Sequence, residues 1–238
     1  MRSPRYRRMS GLLLLQCFFS MMGAAQSGAT TGAAIPVQLL DNLIQGRWYV
    51  ANYFPIRGNP FLNQNLSTED VQLLDIRYKA LPLWYDIYID ELILSFNQGA
   101  EFRYIQLNKE QIRHFDLEGR HFINLAYSPY RDMGLRPGYY EVAFQDKIVL
   151  LVKRKLEVKA DQENLRSYFS RADIRILIKD EQHYSISNRS SLMEAVGPDL
   201  KKEMAAFIKR NKIRFKKAGD AEWLQMIIYL NELQTATR

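Results

Sequence analysis

His114, His121 and His183 are the whole histidine complement of this 238-residue chain. Two of them are placed to work with a carboxylate. Glu118-Gly119 is turn chemistry between two apolar-rich segments, and a two-residue turn there sets Asp116 opposite His121. His114, two residues from Asp116, then shares their face. Such a constellation is half a metal site or an acid–base pair. Catalytic zinc needs three protein ligands plus an open position, and no third ligand stands at diagnostic spacing. A solvated cross-strand Asp–His pair, adding about 0.2–1 kcal/mol, is the simpler account.

The run from Trp84 to Leu92 concentrates Asp86, Asp90 and Glu91 with Tyr85 and Tyr88. Paired carboxylates beside an aromatic platform suit acid–base work on a sugar. Asp86 and Asp90 share strand parity, which predicts one face and a separation of roughly 13 Å, longer than either glycosidase spacing. A strand-to-strand turn at Asp90-Glu91 explains the acids more simply, and three are too few for calcium. Gly-x-Ser-x-Gly, Ser-x-x-Lys and glycine-rich phosphate loops are absent. The sequence therefore predicts no catalytic residue, no metal site and no cofactor. Candidate ligand-binding residues are the aromatics Trp48, Tyr85 and Tyr88. With Tyr49, Tyr53, Trp84, Tyr139 and Tyr140 they offer an interaction face.

The N-terminus alters the charge arithmetic. Arg2, Arg5, Arg7 and Arg8 precede an apolar run, Leu12 to Met22, and Gly23-Ala24-Ala25 supplies small residues for cleavage before Gln26. Residues 1–25 thus have the form of a secretory signal peptide, with an apolar run about half the ~20 residues of a spanning helix. Loss of four Arg takes Lys+Arg from 33 to 29 against 26 acids, and net charge from +7 to +3. The whole-chain charge is then no nucleic-acid footprint. Cys17, the one cysteine, leaves with the signal; the remainder can form no disulfide, thiolate metal site or Cys nucleophile. Basic residues gather at Lys201, Lys202, Lys209, Arg210, Lys212, Arg214, Lys216 and Lys217. They suit a phospholipid head group or polyanionic glycan, or simply a solvated helix whose last turn is basic.

These residues need elements to hold them. Residues 26–45 read as a leader, 46–188 as a β-rich domain and 189–238 as a helical tail packed on it. Val71 to Tyr78 reads as one strand, Leu83 to Ile89 alternates with period 2, and Leu92–Phe96 and Phe102–Leu107 flank turn residues. Two-residue hairpins are expected at Glu118-Gly119, Gln145-Asp146 and Asp180-Glu181. Leu156 to Arg171 reads as a charged, partly helical break. In the tail, Gly197-Pro198 stops a short helix, Asp199 caps or charges the next, and a last helix starts near Asp220. The predicted class is α+β, mainly β: an antiparallel meander or open barrel with two or three C-terminal helices.

Two resemblances add to this. Gly46-x-Trp48-Tyr49, within Asp41–Phe54, resembles the first signature of the lipocalins, small β-barrels that hold apolar ligands. Gly58 to Leu62, Leu83 to Leu92, His183-Tyr184 and the Lys-rich tail are similar to a recurrent pattern in exported bacterial proteins of uncharacterised function. That pattern implies a β-rich domain with a helical tail and transfers no functional residue. The expectation is an exported, periplasmic or secreted cell-envelope protein that binds or scaffolds without catalysis. Its partner would be an envelope protein, glycan or lipid, with no nucleic acid and no transmembrane span after signal cleavage. The alternatives are a lipocalin-like carrier of a small apolar ligand and a glycan or peptide hydrolase.

Overall fold

A computed structural model describes residues 46–98, 101–161 and 166–236, all within a unit beginning at Gly32. The expected signal peptide and leader lie outside the described residues. The strands are β1 (Arg47–Trp48), β2 (Ile56–Arg57), β3 (Ser67–Leu73), β4 (Ile76–Asp86), β5 (Glu91–Gln98), β6 (Glu101–Gln106), β7 (Ile112–Leu117), β8 (Arg120–Asn124), β9 (Tyr139–Gln145), β10 (Val149–Lys153), β11 (Leu156–Asp161), β12 (Arg166–Arg171), β13 (Ile174–Lys179) and β14 (Gln182–Ile186). Helices α1 (Arg189–Val196), α2 (Lys201–Arg210) and α3 (Asp220–Ala236) follow. The chain is mainly β, with an open antiparallel sheet and a helical tail. Eleven strands run in the order β1-β6-β5-β4-β3-β7-β8-β9-β10-β13-β14, and a second sheet runs β11-β12-β2. Among the described residues the large sheet does not close, and β1 and β14 are its edges.

Local chemistry sets the turns. Glu118 and Gly119 both have positive φ (51° and 73°), the type I′ geometry whose twist matches a hairpin; they join β7 to β8. Asp180 and Glu181 (50° and 61°) do the same between β13 and β14. Other boundaries differ from the sequence expectation. The single strand expected over Val71–Tyr78 is two, because the chain reverses at Leu74-Asp75 with Leu74 at φ 47°. Gln145 pairs with Val149, so the β9–β10 loop has three residues rather than two. Leu156–Arg171 is not helical where described: β11 and β12 pair as a hairpin that leaves the main sheet, and along β11 Leu156, Val158 and Ala160 alternate with Glu157, Lys159 and Asp161. The cap of α1 is Asn188, which accepts from Ser191 N while the Ser191 hydroxyl accepts from Asn188 N. Asp199 does not cap α2, whose N-cap is Leu200.

Three apolar clusters hold these elements. Leu81, Leu83 and Tyr85 of β4 pack with Phe115, Phe122 and Tyr139, and Leu156 and Phe169 of the small sheet join them. Further along, β10 and β13 are covered on both faces. Leu150, Val152 and Leu177 face Leu192, Met204, Trp223 and Met226 of the helices, whereas Val149, Leu151 and Ile176 face Leu125, Tyr130 and Leu135. Double coverage explains the unbroken apolar run Ile148 to Val152.

A buried guanidinium joins tail to sheet. Arg154, just past β10 and 2% exposed, donates to Glu141 of β9 (2.6 Å), Asp173 (2.8 Å) and Asp220 at the start of α3 (2.7 Å). Arg175 of β13 donates to the other Asp220 oxygen at 2.9 Å. Burial alone would raise the Asp220 pKa, but Arg154 and Arg175 hold it below the usual carboxylate value. Arg154→Met removes the buried cation shared by Glu141 and Asp173, leaving them only Arg120 at 3.9 Å and Arg171 at 3.2 Å, and should lower the unfolding free energy by about 3–5 kcal/mol in urea titrations. The Asp220 contribution is full above its unfolded pKa near ~4 and is lost as pH falls through the depressed folded value. Wild type should therefore lose its advantage over the variant on acidification through that window.

Candidate functional site

The acidic, aromatic run at the end of β4 builds two separate polar centres. Asp86 is fully buried. Its Oδ2 accepts from the Tyr49 and Tyr53 hydroxyls at 2.8 and 2.7 Å, and its Oδ1 accepts from Tyr88 N (3.0 Å) and Ile89 N (3.3 Å). Four donors satisfy the carboxylate, as a buried charge requires. Burial, then the hydrogen bond to Asp86, pushes the pKa of both tyrosines up, so they stay protonated donors. Aromatic rings extend from this anchor. Phe61 stacks on Trp84 (5.1 Å) and Trp84 contacts Tyr104 (5.4 Å), while Tyr53 and Tyr88 pack on Phe169 of β12 (5.6 and 5.1 Å).

The second centre is Asp90, the turn residue before β5, at φ 60°. Its carboxylate accepts from the Tyr85 hydroxyl at 2.6 Å, Lys109 Nζ at 2.8 Å and Lys153 Nζ at 3.0 Å. Lys109 also donates to the Asp90 carbonyl, and Lys153 to the Pro137 carbonyl at 3.1 Å. The two ammoniums lie over the rings of Tyr139 and Tyr140 at 4.9 and 5.0 Å, an arrangement that cation–π attraction favours. Burial lowers the Lys153 pKa against the opposing pull of Asp90, and burial raises that of Glu91. Glu91 Oε2 and the Tyr139 hydroxyl are buried without a hydrogen-bond partner. Beside this centre, Arg47, Glu91, Gln106 and Lys109 line an open cleft of about 570 Å³.

Asp86 and Asp90 do not share a face as strand parity suggested. The period ends because β4 stops at Asp86, and the turn Ile87–Asp90 folds Asp90 back onto the hydroxyl of Tyr85. Asp116 does pair with His121 across the β7–β8 hairpin, Oδ1 to Nδ1 at 2.7 Å, and the His114 ring lies 5.2 Å from that of His121. Burial, then the His121 charge, lowers the His114 pKa. No group of three metal-ligating side chains occurs among the described residues.

The three aromatic candidates fall in different places. Tyr85 is in the core with no exposed surface and positions Asp90. Tyr88 is 39% exposed and belongs to the Tyr53–Phe169 group. Trp48 is 62% exposed on edge strand β1, stacks on Phe96 at 6.3 Å and carries the Arg103 guanidinium 5.6 Å above its ring. Phe102, 66% exposed on β6, lies on the other face of the sheet, opposite Asn97. Sequence reasoning missed Lys109, Lys153 and Arg154. The available signal was Lys153-Arg154 directly continuing the apolar run of β10, where a charge must find partners. Comparison with family models, with curated proteins and with solved structures gives no match.

Gly138 is what admits the Asp90 centre. At φ 123°, an added Cβ would lie 2.0 Å from Asp90 Oδ2 and 2.3 Å from Lys153 Nζ. Gly134→Ala, at φ 70° with open space around it, should cost only the left-handed penalty of about 1–2 kcal/mol. Gly138→Ala should cost more, about 2–4 kcal/mol. Thermal melts of the two variants measure the difference.

Proposed function

We propose that this chain is an exported, non-catalytic binding or scaffolding protein of the cell envelope, working through the aromatic edge around Trp48. One observation carries the reading. Asp86 and Asp90, two of the carboxylates that looked capable of chemistry, are held as internal ties, Asp86 by four donors and Asp90 by a tyrosine and two lysines, while Trp48 is left largely exposed on edge strand β1. A general acid or base has to reach substrate with a proton to exchange; saturated carboxylates fit a structural part better. An aromatic, Arg-bearing patch is the composition from which interface anchors are drawn. A lipocalin-like carrier is less well supported, because Tyr85, Phe115, Phe122 and Tyr139 fill the sheet face where a ligand would lie. No helix among the described residues is long and apolar enough to cross a membrane.

A photo-crosslinking residue at position 48 tests the edge in intact cells. The expected outcome is a discrete adduct with an envelope component from position 48 and none from position 168 on the small sheet. Absence of an adduct at position 48 overturns the binding edge. Mass spectrometry of the chain from the envelope fraction should show an N-terminus at or near Gln26, and an intact Met1 would refute export by cleavage.

A further inference from the structure

Positive charge is segregated in this protein. Residues 189–218 hold nine Lys or Arg against three acids (Glu194, Asp199 and Glu203), leaving 24 Lys or Arg against 23 acids in the rest of the chain. The nine are Arg189, Lys201, Lys202, Lys209, Arg210, Lys212, Arg214, Lys216 and Lys217, and none is in an ion pair among the described residues. Outside the tail many of the described cations are paired, as at Arg77–Asp70, Lys109–Asp90 and Arg175–Asp220. All nine side chains are exposed.

The fold gives this charge a shape. The start of α1, the end of α2 and the segment after it bring Arg189, Lys209, Lys212 and Arg214 around a cleft of about 520 Å³ with Ala205, Ala206, Ile208 and Ile213 at its wall. A second cleft of about 330 Å³ shares Lys212 and Arg214 and adds Lys217, with Glu222 as its one acid. Leaving like charges adjacent and unpaired costs stability, and a polyanionic partner would offset that cost. A solvated basic helix end accounts for Lys209 and Arg210 in the last turn of α2, but not for Arg189, Lys212, Arg214 and Lys217 converging from other segments.

We infer that this basic face docks the helical tail on an anionic lipid surface, with phosphate-bearing head groups entering the cleft between α1, α2 and residues 212–214. A broad, open face of unpaired cations suits a plane of phosphates better than a single enclosed anion. The cleft's alanine and isoleucine side chains suit the apolar shoulder of a lipid. This docking does not depend on the Trp48 edge.

Vesicle co-sedimentation of the purified protein tests it. At low salt the protein should partition onto phosphatidylcholine vesicles mixed with phosphatidylglycerol and not onto phosphatidylcholine alone. Lys209→Glu, Lys212→Glu and Arg214→Glu combined should lower that partition at least ~100-fold, at about 1 kcal/mol per basic residue near an anionic surface. High salt should release the wild type. Lys79→Glu with Lys159→Glu, which reverses the same kind of charge outside the tail, should leave binding intact, and unchanged thermal melts should show that each variant is folded. Equal partition onto neutral vesicles, or partition unaffected by the triple variant, overturns the inference. So does release by millimolar inorganic phosphate, which assigns the cleft to the free ion. Binding to heparin or duplex DNA without vesicle binding assigns the face to a soluble polyanion and overturns it too.

Discussion

The guanidinium of Arg154 is the constraint around which this architecture is arranged. Arginine cannot shed its charge inside a protein, so burying it obliges the fold to bring acids to it. Those acids come from three places far apart in sequence: Glu141 in β9, Asp173 before β13 and Asp220 at the head of α3. Satisfying one side chain therefore fixes the register of two strands and the starting point of the final helix. Asp220 also sits in the first turn of α3, where a negative charge suits the positive end of the helix dipole. Apolar packing then finishes what the charge begins, with Trp223 and Met226 against Leu150 and Leu177. Buried ion clusters are weak sources of net stability and better sources of a single arrangement. That matches a junction between a helical tail and a sheet that would otherwise pack through interchangeable aliphatic contacts.

The same logic explains the acids that looked chemical in the sequence. Asp86 and Asp90 are four residues apart, yet each organises a different part of the chain. Asp86 gathers Tyr49 and Tyr53 and so holds the segment after β1 against β4. Asp90 gathers Lys109 and Lys153, linking the turn before β7 to the end of β10. Lys153 is buried and Lys109 half-buried, which an unpaired ammonium would resist; a shared carboxylate and the facing rings of Tyr139 and Tyr140 make this tolerable. The side chains proposed for binding, at the β1 edge and on the basic tail, take no part in these ties.

Much of the fold was legible where turn chemistry is explicit. Glu118-Gly119 and Asp180-Glu181 fixed their hairpins, and with them the facing of Asp116 and His121. Gly197-Pro198 and the helical spacing of Met204, Phe207 and Ile208 fixed the tail. Legibility failed where one pattern serves two purposes. The charges of β11 and β12 resemble a solvated helix because every residue of the two strands except Leu156 is exposed or half-buried. Leu74 turns despite being apolar, since its neighbours set the reversal. Asp90 escaped the period-2 argument because periodicity holds only while the strand continues. Of the aromatic candidates, Trp48 and Tyr88 are exposed and Tyr85 is not, a distinction composition cannot make. Lys109 and Lys153 were invisible because surface lysines are the ordinary case and a buried one declares itself only through partners distant in sequence.

The order of strands carries a kinetic consequence. From β3 to β6, from β7 to β10 and from β13 to β14, each strand lies beside its neighbour in sequence, so those pairings close short loops and can zip as local units. Four seams are different: β1 with β6, β3 with β7 and β10 with β13 in the large sheet, and β2 with β12 in the small one. Each joins segments already separated by intervening chain and must bear a larger loop-closure entropy. Assembly of independent hairpin blocks followed by their stitching is the route this connectivity favours, and the seam of β10 with β13 brings Arg154 to Asp173.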